Sequence, residues 1–404
     1  MHHPGYEPHR RSPSRFPLLL AAALLVLLAG GAAFIFFINS DRAEHAYPGN
    51  TAPEEQQPGS ESEKKPPAPF WPESPLIPRP EQVKGIYVNV FEQPVTGPFF
   101  SDLLELIDNT ELNAIVVDLK DDRGRLTYPR TMVPWAESAG APDHFISDPA
   151  GFMATLAERG IYPIARIVAF KDPVIATQMP QLAALNGRGE PWRYGADYWL
   201  DPYNKDAWKY VVALAREAAE LGFREIQFDY VRFPSDGDLS DIHYPAEDGS
   251  PYPEVIAAFL RYARASLAEY EVELSVDVFG LVTSDPGDQG IGQHLESLAA
   301  TVDLVCPMIY PSHYGAGNLG LPDPERAPYD TVYLSLRDAQ ARLEQAGLEA
   351  QLRPWLQAFT INHFYGAAEV RAQIQAAEDL GIEEFLLWNN GNYYSAAALR
   401  PAPK

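Results

Sequence analysis

Hydrophobic and polar positions divide the chain into three zones. Residues 16–38 run for 23 positions without a charge. At a helical rise of about 1.5 Å per residue, that length crosses the roughly 30 Å hydrocarbon core of a bilayer. Residues 39–80 show no periodicity: ten prolines, from Pro48 to Pro80, alternate with Glu, Ser, Gln and Lys. Such a stretch has too few backbone donors for regular structure and too few apolar residues to collapse. It reads as a linker. From Glu81 onward, short β-branched runs alternate with amphipathic stretches. Strands are predicted at 84–90, 113–120, 161–170, 224–233, 273–279, 303–310, 352–359 and 384–388. Helices are predicted at 99–109, 149–159, 206–221, 254–270, 293–300, 333–346 and 367–380, with 173–185 helical in part. Gly222, Gly347 and Gly381 stand just past three of these helices, where a left-handed cap suits glycine.

The strand runs are apolar on both faces, as buried parallel strands are. Eight strands with helices between them predict an α/β fold, a TIM (β/α)8 barrel over residues 81–404. An open doubly wound sheet is the alternative. It calls for a glycine-rich phosphate turn after the first strand, where this chain reads Phe91-Glu92-Gln93-Pro94.

Charge and cysteine content narrow the function. The 404 residues carry 55 Asp and Glu against 31 Lys and Arg, a formal net charge of −24, which argues against a nucleic-acid partner. The single cysteine, Cys306, excludes an intramolecular disulfide and a cysteine-built zinc site, and reads as a small buried hydrophobe. No histidine pair has ligand spacing on a shared element, so neither metal nor cofactor is expected. Arg10, Arg11 and Arg15 in the polar tail, residues 1–15, precede the uncharged run. That run is longer than a signal peptide's apolar region and ends in Phe34-Ile35-Phe36-Phe37-Ile38, a poor cleavage site. It is read as a single-pass anchor in the cell membrane, with the N-terminus cytoplasmic and the barrel extracellular. A monomer is expected.

In a barrel of this kind the reactive groups gather at the C-terminal ends of the strands. Asp118 ends the second strand. Arg166 lies in the third, where an unpaired charge would be expensive, and is therefore expected to meet a carboxylate. Asp229 ends the fourth strand and is followed by Tyr230 and Arg232. Asp277 lies in the fifth, Tyr310 and His313 close the sixth, and Trp388 and Asn389 close the eighth. Asp121 and Asp122 are read as turn residues before Gly124. Carboxylates serve acid/base and nucleophilic work at an anomeric carbon, aromatic rings stack on sugar faces, and amides and arginine hold hydroxyls. Asp229 and Asp277 are the candidate catalytic pair. Asp118, Arg166, Arg232, Tyr310, His313, Trp388 and Asn389 are the candidate substrate-binding residues. Asp229, with Arg232 or Arg166 as its positive neighbour, suits a nucleophile, and Asp277 among Val276, Val278 and Phe279 suits an acid.

Several motifs carry a family resemblance. VVDLKDDRGRLTY at 116–128, RIVAFKDP at 166–173, FDYVRFPSDG at 228–237, SVDVFG at 275–280, PMIYPSHY at 307–314 and LLWN at 386–389 resemble a family of bacterial barrels labelled DUF4015 and classed with glycoside hydrolases. The resemblance covers residues 84–395. It implies a TIM barrel distantly similar to the α-amylase superfamily and names no substrate. In α-amylase-like enzymes an Asp at the end of strand four is the nucleophile, which falls on Asp229. Their acid/base is a Glu on strand five, where this chain has Asp277. Their arginine lies two residues before the nucleophile, whereas Arg232 lies three after it.

Two functions are consistent with these residues. One is a membrane-anchored glycoside hydrolase acting on a polysaccharide or cell-wall glycan, with a lipid bilayer holding residues 16–38. The other is a barrel that binds glycan for wall attachment without cleaving it. Separation of the Asp229 and Asp277 carboxyls discriminates: about 5–5.5 Å suits a retaining enzyme and about 6.5–9.5 Å an inverting one.

Overall fold

Eight runs of apolar residues pair edge to edge and close on themselves. The computed structural model of the protein describes residues 76–91 and 95–403. The barrel strands are β1 (Lys84–Val88), β2 (Ala114–Lys120), β3 (Tyr162–Val168), β4 (Glu225–Asp229), β5 (Glu273–Phe279), β6 (Leu304–Ile309), β7 (Trp355–Gln357) and β8 (Phe385–Trp388). All neighbours are parallel, and β8 returns to β1 through Lys84 opposite Phe385. The TIM barrel expected from the sequence is therefore present. Closure leaves no open edge, so the backbone of the barrel strands is paired on both sides.

The helices cover the outer face. Their apolar residues and the outward strand residues, such as Ile115, Val117, Ile226, Phe228, Val276 and Val278, form one continuous core. A smaller apolar cluster fills the barrel itself, with Tyr87, Val116, Ile164, Cys306, Trp355 and Leu386 pointing inward. The same inward parity brings in polar residues, which sort into two layers. At the N-terminal end Arg353, fully buried, meets Glu225 and lies 3.7 Å from Glu384. At the C-terminal end lie Asp118, Arg166, Asp229 and Asp277.

Most element boundaries fall within a few residues of those expected, and the exceptions have local causes. β4 stops at Asp229 rather than at residue 233, because Tyr230 takes φ 48°, a left-handed conformation no strand can contain. The seventh strand is broken at Arg353-Pro354, leaving a two-residue piece, Gln351–Leu352, ahead of β7. Helix Pro328–Ala346 starts five residues early, with proline at its first turn, where the missing N–H costs nothing. Gly222, Gly347 and Gly381 all have positive φ, as their positions past helix ends suggest. Helix Pro134–Ala139 and the small ladder of Arg193–Tyr194 with Asp197–Tyr198 had no clear periodic signal.

Packed structure reaches further toward the N-terminus than the linker boundary at residue 80. Ile77 is buried, and Arg79 bonds both Glu273 and Glu384 at 2.7 Å, across the N-terminal mouth of the barrel. The tail at 1–15, the anchor at 16–38 and the linker as far as residue 75 lie outside the described residues. Among the described residues no helix is long and apolar enough to cross a membrane.

Candidate active site

Arg166 organises the C-terminal mouth. Its position in β3 points it inward, level with Asp118 on β2 and Gln227 on β4. Nη1 donates to Asp118 Oδ1 at 2.6 Å, and Nε and Nη2 donate to Asp229 Oδ2 at 3.0 and 2.5 Å. Nε also lies 3.9 Å from Asp277 Oδ2. The cation that the sequence required to be paired is thus held by two carboxylates, with a third within ion-pair reach. Asp118 in turn accepts from the Tyr87 hydroxyl at 2.7 Å.

Asp229 and Asp277 sit in different surroundings. Asp229 accepts two Arg166 N–H donors on Oδ2 and the Tyr230 backbone N–H on Oδ1 at 2.6 Å. The left-handed turn at Tyr230 makes this last bond possible and aims the chain out of the sheet. Its ring is held 5.0 Å from the Lys171 ammonium and 4.9 Å from the Arg232 guanidinium. Asp277 is 1% exposed, and among the described residues the one hydrogen-bond donor to its carboxyl is the Trp355 indole N–H, at 2.8 Å from Oδ1. Burial, followed by the neighbouring charge of Asp229, pushes the Asp277 carboxyl well above the usual carboxylate range, against the pull of Arg166. One Arg166 nitrogen lies 3.0 Å from an Asp229 oxygen and 3.9 Å from an Asp277 oxygen, which caps the separation of those two oxygens at about 7 Å.

Both carboxylates line a cavity of about 490 Å³. Arg166, Arg232, Tyr310, His313 and Trp388 line it too, so seven of the nine candidate residues come together. Asp118 and Asn389 do not reach it. Asp118 lies behind Arg166, 3% exposed, and burial raises its carboxyl pKa. Asn389 is spent on its own loop: its amide donates to the carbonyls of Ala358 and Tyr393, and its oxygen accepts from Gly391 N–H. Arg232 is not the cation beside Asp229; Arg166 fills that place. Trp388 has one face covered by Tyr87, stacked at 4.0 Å and 15°, which leaves less ring for a sugar than a strand-end tryptophan suggests. Tyr310 packs edge-on to His313 and Phe359. Burial lowers the His313 pKa.

Other polar residues at strand ends are structural. Asp121 folds the turn before Gly124, accepting from the backbone of Arg123 and Arg125. Lys120 is buried against Asp172 at 3.0 Å, and Asp172 caps helix Pro173–Gln178. Cys306 is buried among Gln227 and Arg353, and its thiol pKa is pushed up by burial. Among the described residues no group of three or more His, Cys, Asp and Glu is placed to hold a metal ion.

Three contributors escaped the sequence reading: Tyr87, Trp355 and Phe279. Inward parity along β1 and β7 marks Tyr87 and Trp355, one and two residues short of the strand ends on which attention rests.

No curated protein matches the chain. Among solved structures, a hypothetical protein from Ruminiclostridium thermocellum is 37% identical, over 48% of this chain and 97% of that one, with a TM-score of 0.43. The glycoside hydrolase domain of PgaB (BpsB) from Bordetella bronchiseptica is 14% identical, over 80% of this chain and 98% of that one, with a TM-score of 0.55, a likeness of fold. A family model described as a putative glycosyl hydrolase domain, DUF4015, matches residues 85–394, from the first barrel strand to the loop beyond the last, and the chain belongs to that family.

Proposed function

We propose that this protein is a membrane-anchored glycoside hydrolase, with Asp229 as nucleophile and Asp277 as acid/base, acting outside the cell on a polysaccharide or cell-wall glycan. The observation that carries this reading is the pair itself. Two carboxylates face one cavity, one ion-paired to Arg166 and the other buried with a raised pKa. Acid-assisted displacement at an anomeric carbon needs that division of labour. Membership of a glycosyl hydrolase family supports the reaction class. The uncharged run at 16–38, behind three arginines, supports the anchor and the outward orientation.

The cap of about 7 Å on these two oxygens admits the retaining spacing and the shortest inverting ones, and the ion-paired Asp229 suits the nucleophile of a double displacement. In the first step Asp277 gives its proton to the glycosidic oxygen as the bond from that oxygen to the anomeric carbon breaks. An Asp229 oxygen bonds to the anomeric carbon from the opposite face. In the second, Asp277, now a carboxylate, takes a proton from water, the water oxygen bonds to the anomeric carbon, and Asp229 leaves. Arg166 holds Asp229 in place throughout by two N–H donors on one carboxylate oxygen.

A polysaccharide panel, read by released reducing ends, identifies a working substrate. On that substrate Asp229→Asn and Asp277→Asn should each lower turnover by roughly 10³-fold or more with the fold intact. Azide should restore activity to Asp277→Ala on an activated glycoside. Activity of Asp229→Asn within about tenfold of wild type would remove Asp229 from the mechanism. Tight glycan binding with no turnover on any substrate would instead leave a binding barrel.

A further inference from the structure

Three arginines of the described chain are buried: Arg166, Arg232 and Arg353. Arg166 and Arg353 each hold carboxylates. Arg232, 5% exposed, has no carboxylate within ion-pair distance among the described residues. Only its Nη1 is engaged, donating to the Phe233 carbonyl at 2.9 Å and to the Ser235 hydroxyl at 3.2 Å. Its guanidinium is instead enclosed by rings, 4.9 Å from Trp199, 4.9 Å from Tyr230 and 4.7 Å from Phe279. These contacts fix the plane of the group and exclude water from it, while neutralising none of its charge. Asp229, Asp236 and Asp197 favour its charge from beyond ion-pair distance; a buried cation with no anion in contact is still expensive, and the cost falls where a ligand supplies a contacting counter-charge.

The position is suggestive as well. Arg232 lines the 490 Å³ cavity together with Asp229 and Asp277, and also a 90 Å³ pocket that adjoins it. The acids of the smaller pocket stop short of ion-pair contact with Arg232, and Asp236 reaches it only through the Ser235 hydroxyl. Asp197 bridges Lys171 at 3.0 Å, and Asp236 accepts from the Ser235 hydroxyl at 2.6 Å. We infer that Arg232 is a substrate-binding cation, and that the cavity takes a sugar carrying an anionic substituent, held by the free Nε–Nη2 edge of the guanidinium. The planar fork suits a carboxylate or a phosphate ester alike. With a net charge of −24 the whole molecule repels a densely charged polymer, so the fit is to isolated anionic groups on an otherwise neutral glycan.

This inference rests on the reading of the cavity as a glycan site, and binding separates the two. Calorimetry on the full-length protein, purified in detergent, compares three pairs: glucuronate with glucose, N-acetylmuramate with N-acetylglucosamine, and glucose 6-phosphate with glucose. Asp229→Asn serves as a background that cannot turn substrate over. At least one anionic sugar should bind about tenfold tighter than its neutral partner, and the pair that does so identifies the group. Arg232→Gln should erase that preference, and Arg232→Lys should keep part of it. No preference in any pair, or a preference that survives Arg232→Gln, overturns the inference and leaves the catalytic pair untouched. Should Arg232→Gln fail to fold, a full tenfold preference in Arg232→Lys, which keeps the charge but loses the fork, overturns bidentate recognition.

Discussion

Asp277 shows how one side chain sets opposite demands on stability and chemistry. Its carboxyl keeps a proton in the folded protein at a pH where the unfolded chain, with an ordinary value of about 3.9, has lost it. A raised folded value means the native state binds more protons, so stability declines as pH rises through the interval between the two values. Asp277→Asn mimics the protonated form and removes that decline. Its melting temperature relative to wild type should climb as pH is raised from 5 to 8, measured by calorimetry at each pH. Asp229→Asn should do the reverse of helping: it leaves Arg166 short of one carboxylate, at a cost of about 1–3 kcal/mol. The same sign governs catalysis. The acid form of Asp277 is the working one, so kcat/KM should fall on the alkaline side as that proton is lost, and the limb should vanish in azide-rescued Asp277→Ala.

At the scale of the element, the mouth of the barrel is held by close approaches that a sequence pattern does not display. Gly280 follows β5 and lines the cavity. A Cβ there would stand 2.7 Å from the Met308 carbonyl oxygen and 2.4 Å from the Tyr314 hydroxyl. The backbone oxygen cannot move without disturbing β6. Gly280→Ala should therefore cost roughly 1–3 kcal/mol by denaturant unfolding and loosen the β5–β6 edge of the site. Stability unchanged within error would show that the loop after β5 shifts freely. Element type was legible around the barrel because its strands are apolar on both faces and its helices on one, whereas helix Pro134–Ala139 and the short ladder at 193–198 lack such a period. Element ends were less so. The apolar run of β4 continues into Val231 and Phe233, and nothing in its period announces the turn at Tyr230, which is sustained by the adjacent Asp229 and Arg232 and by Lys171 and Trp199 from earlier in the chain.

For the whole molecule, the N-terminal limit of the domain is set by packing. Ile77 is 1% exposed and Arg79 ties β5 to the residue before β8. A chain beginning at Leu76 should melt like the longer protein, whereas one beginning at Glu81 should lose about 2–4 kcal/mol, chiefly the burial of Ile77. Equal melting temperatures would place the boundary at the end of the proline-rich linker after all. The proposed anchor has its own check. Protease added to intact cells should release the barrel and leave a short fragment in the membrane. A barrel protected in intact cells, or a mature N-terminus near Asn39, would contradict the orientation or the anchor.

Sequence alone determined the alternation of eight strands with helices, because burial on two faces or on one writes a period directly into residue type. It also determined that Arg166 needed a carboxylate, because desolvating an unpaired guanidinium is costly wherever it lies. Only the tertiary structure decided which carboxylates answer it. Asp118, Asp229 and Asp277 stand on three strands far apart in the chain, and barrel closure brings them to one cation. It separated Arg166, paired, from Arg232, enclosed by rings, although each lies among apolar neighbours in the sequence. It retired Asp118, which Arg166 covers, and Asn389, which is spent on its own loop, and it brought in Trp355, because a strand's pleat and register decide which way a side chain points.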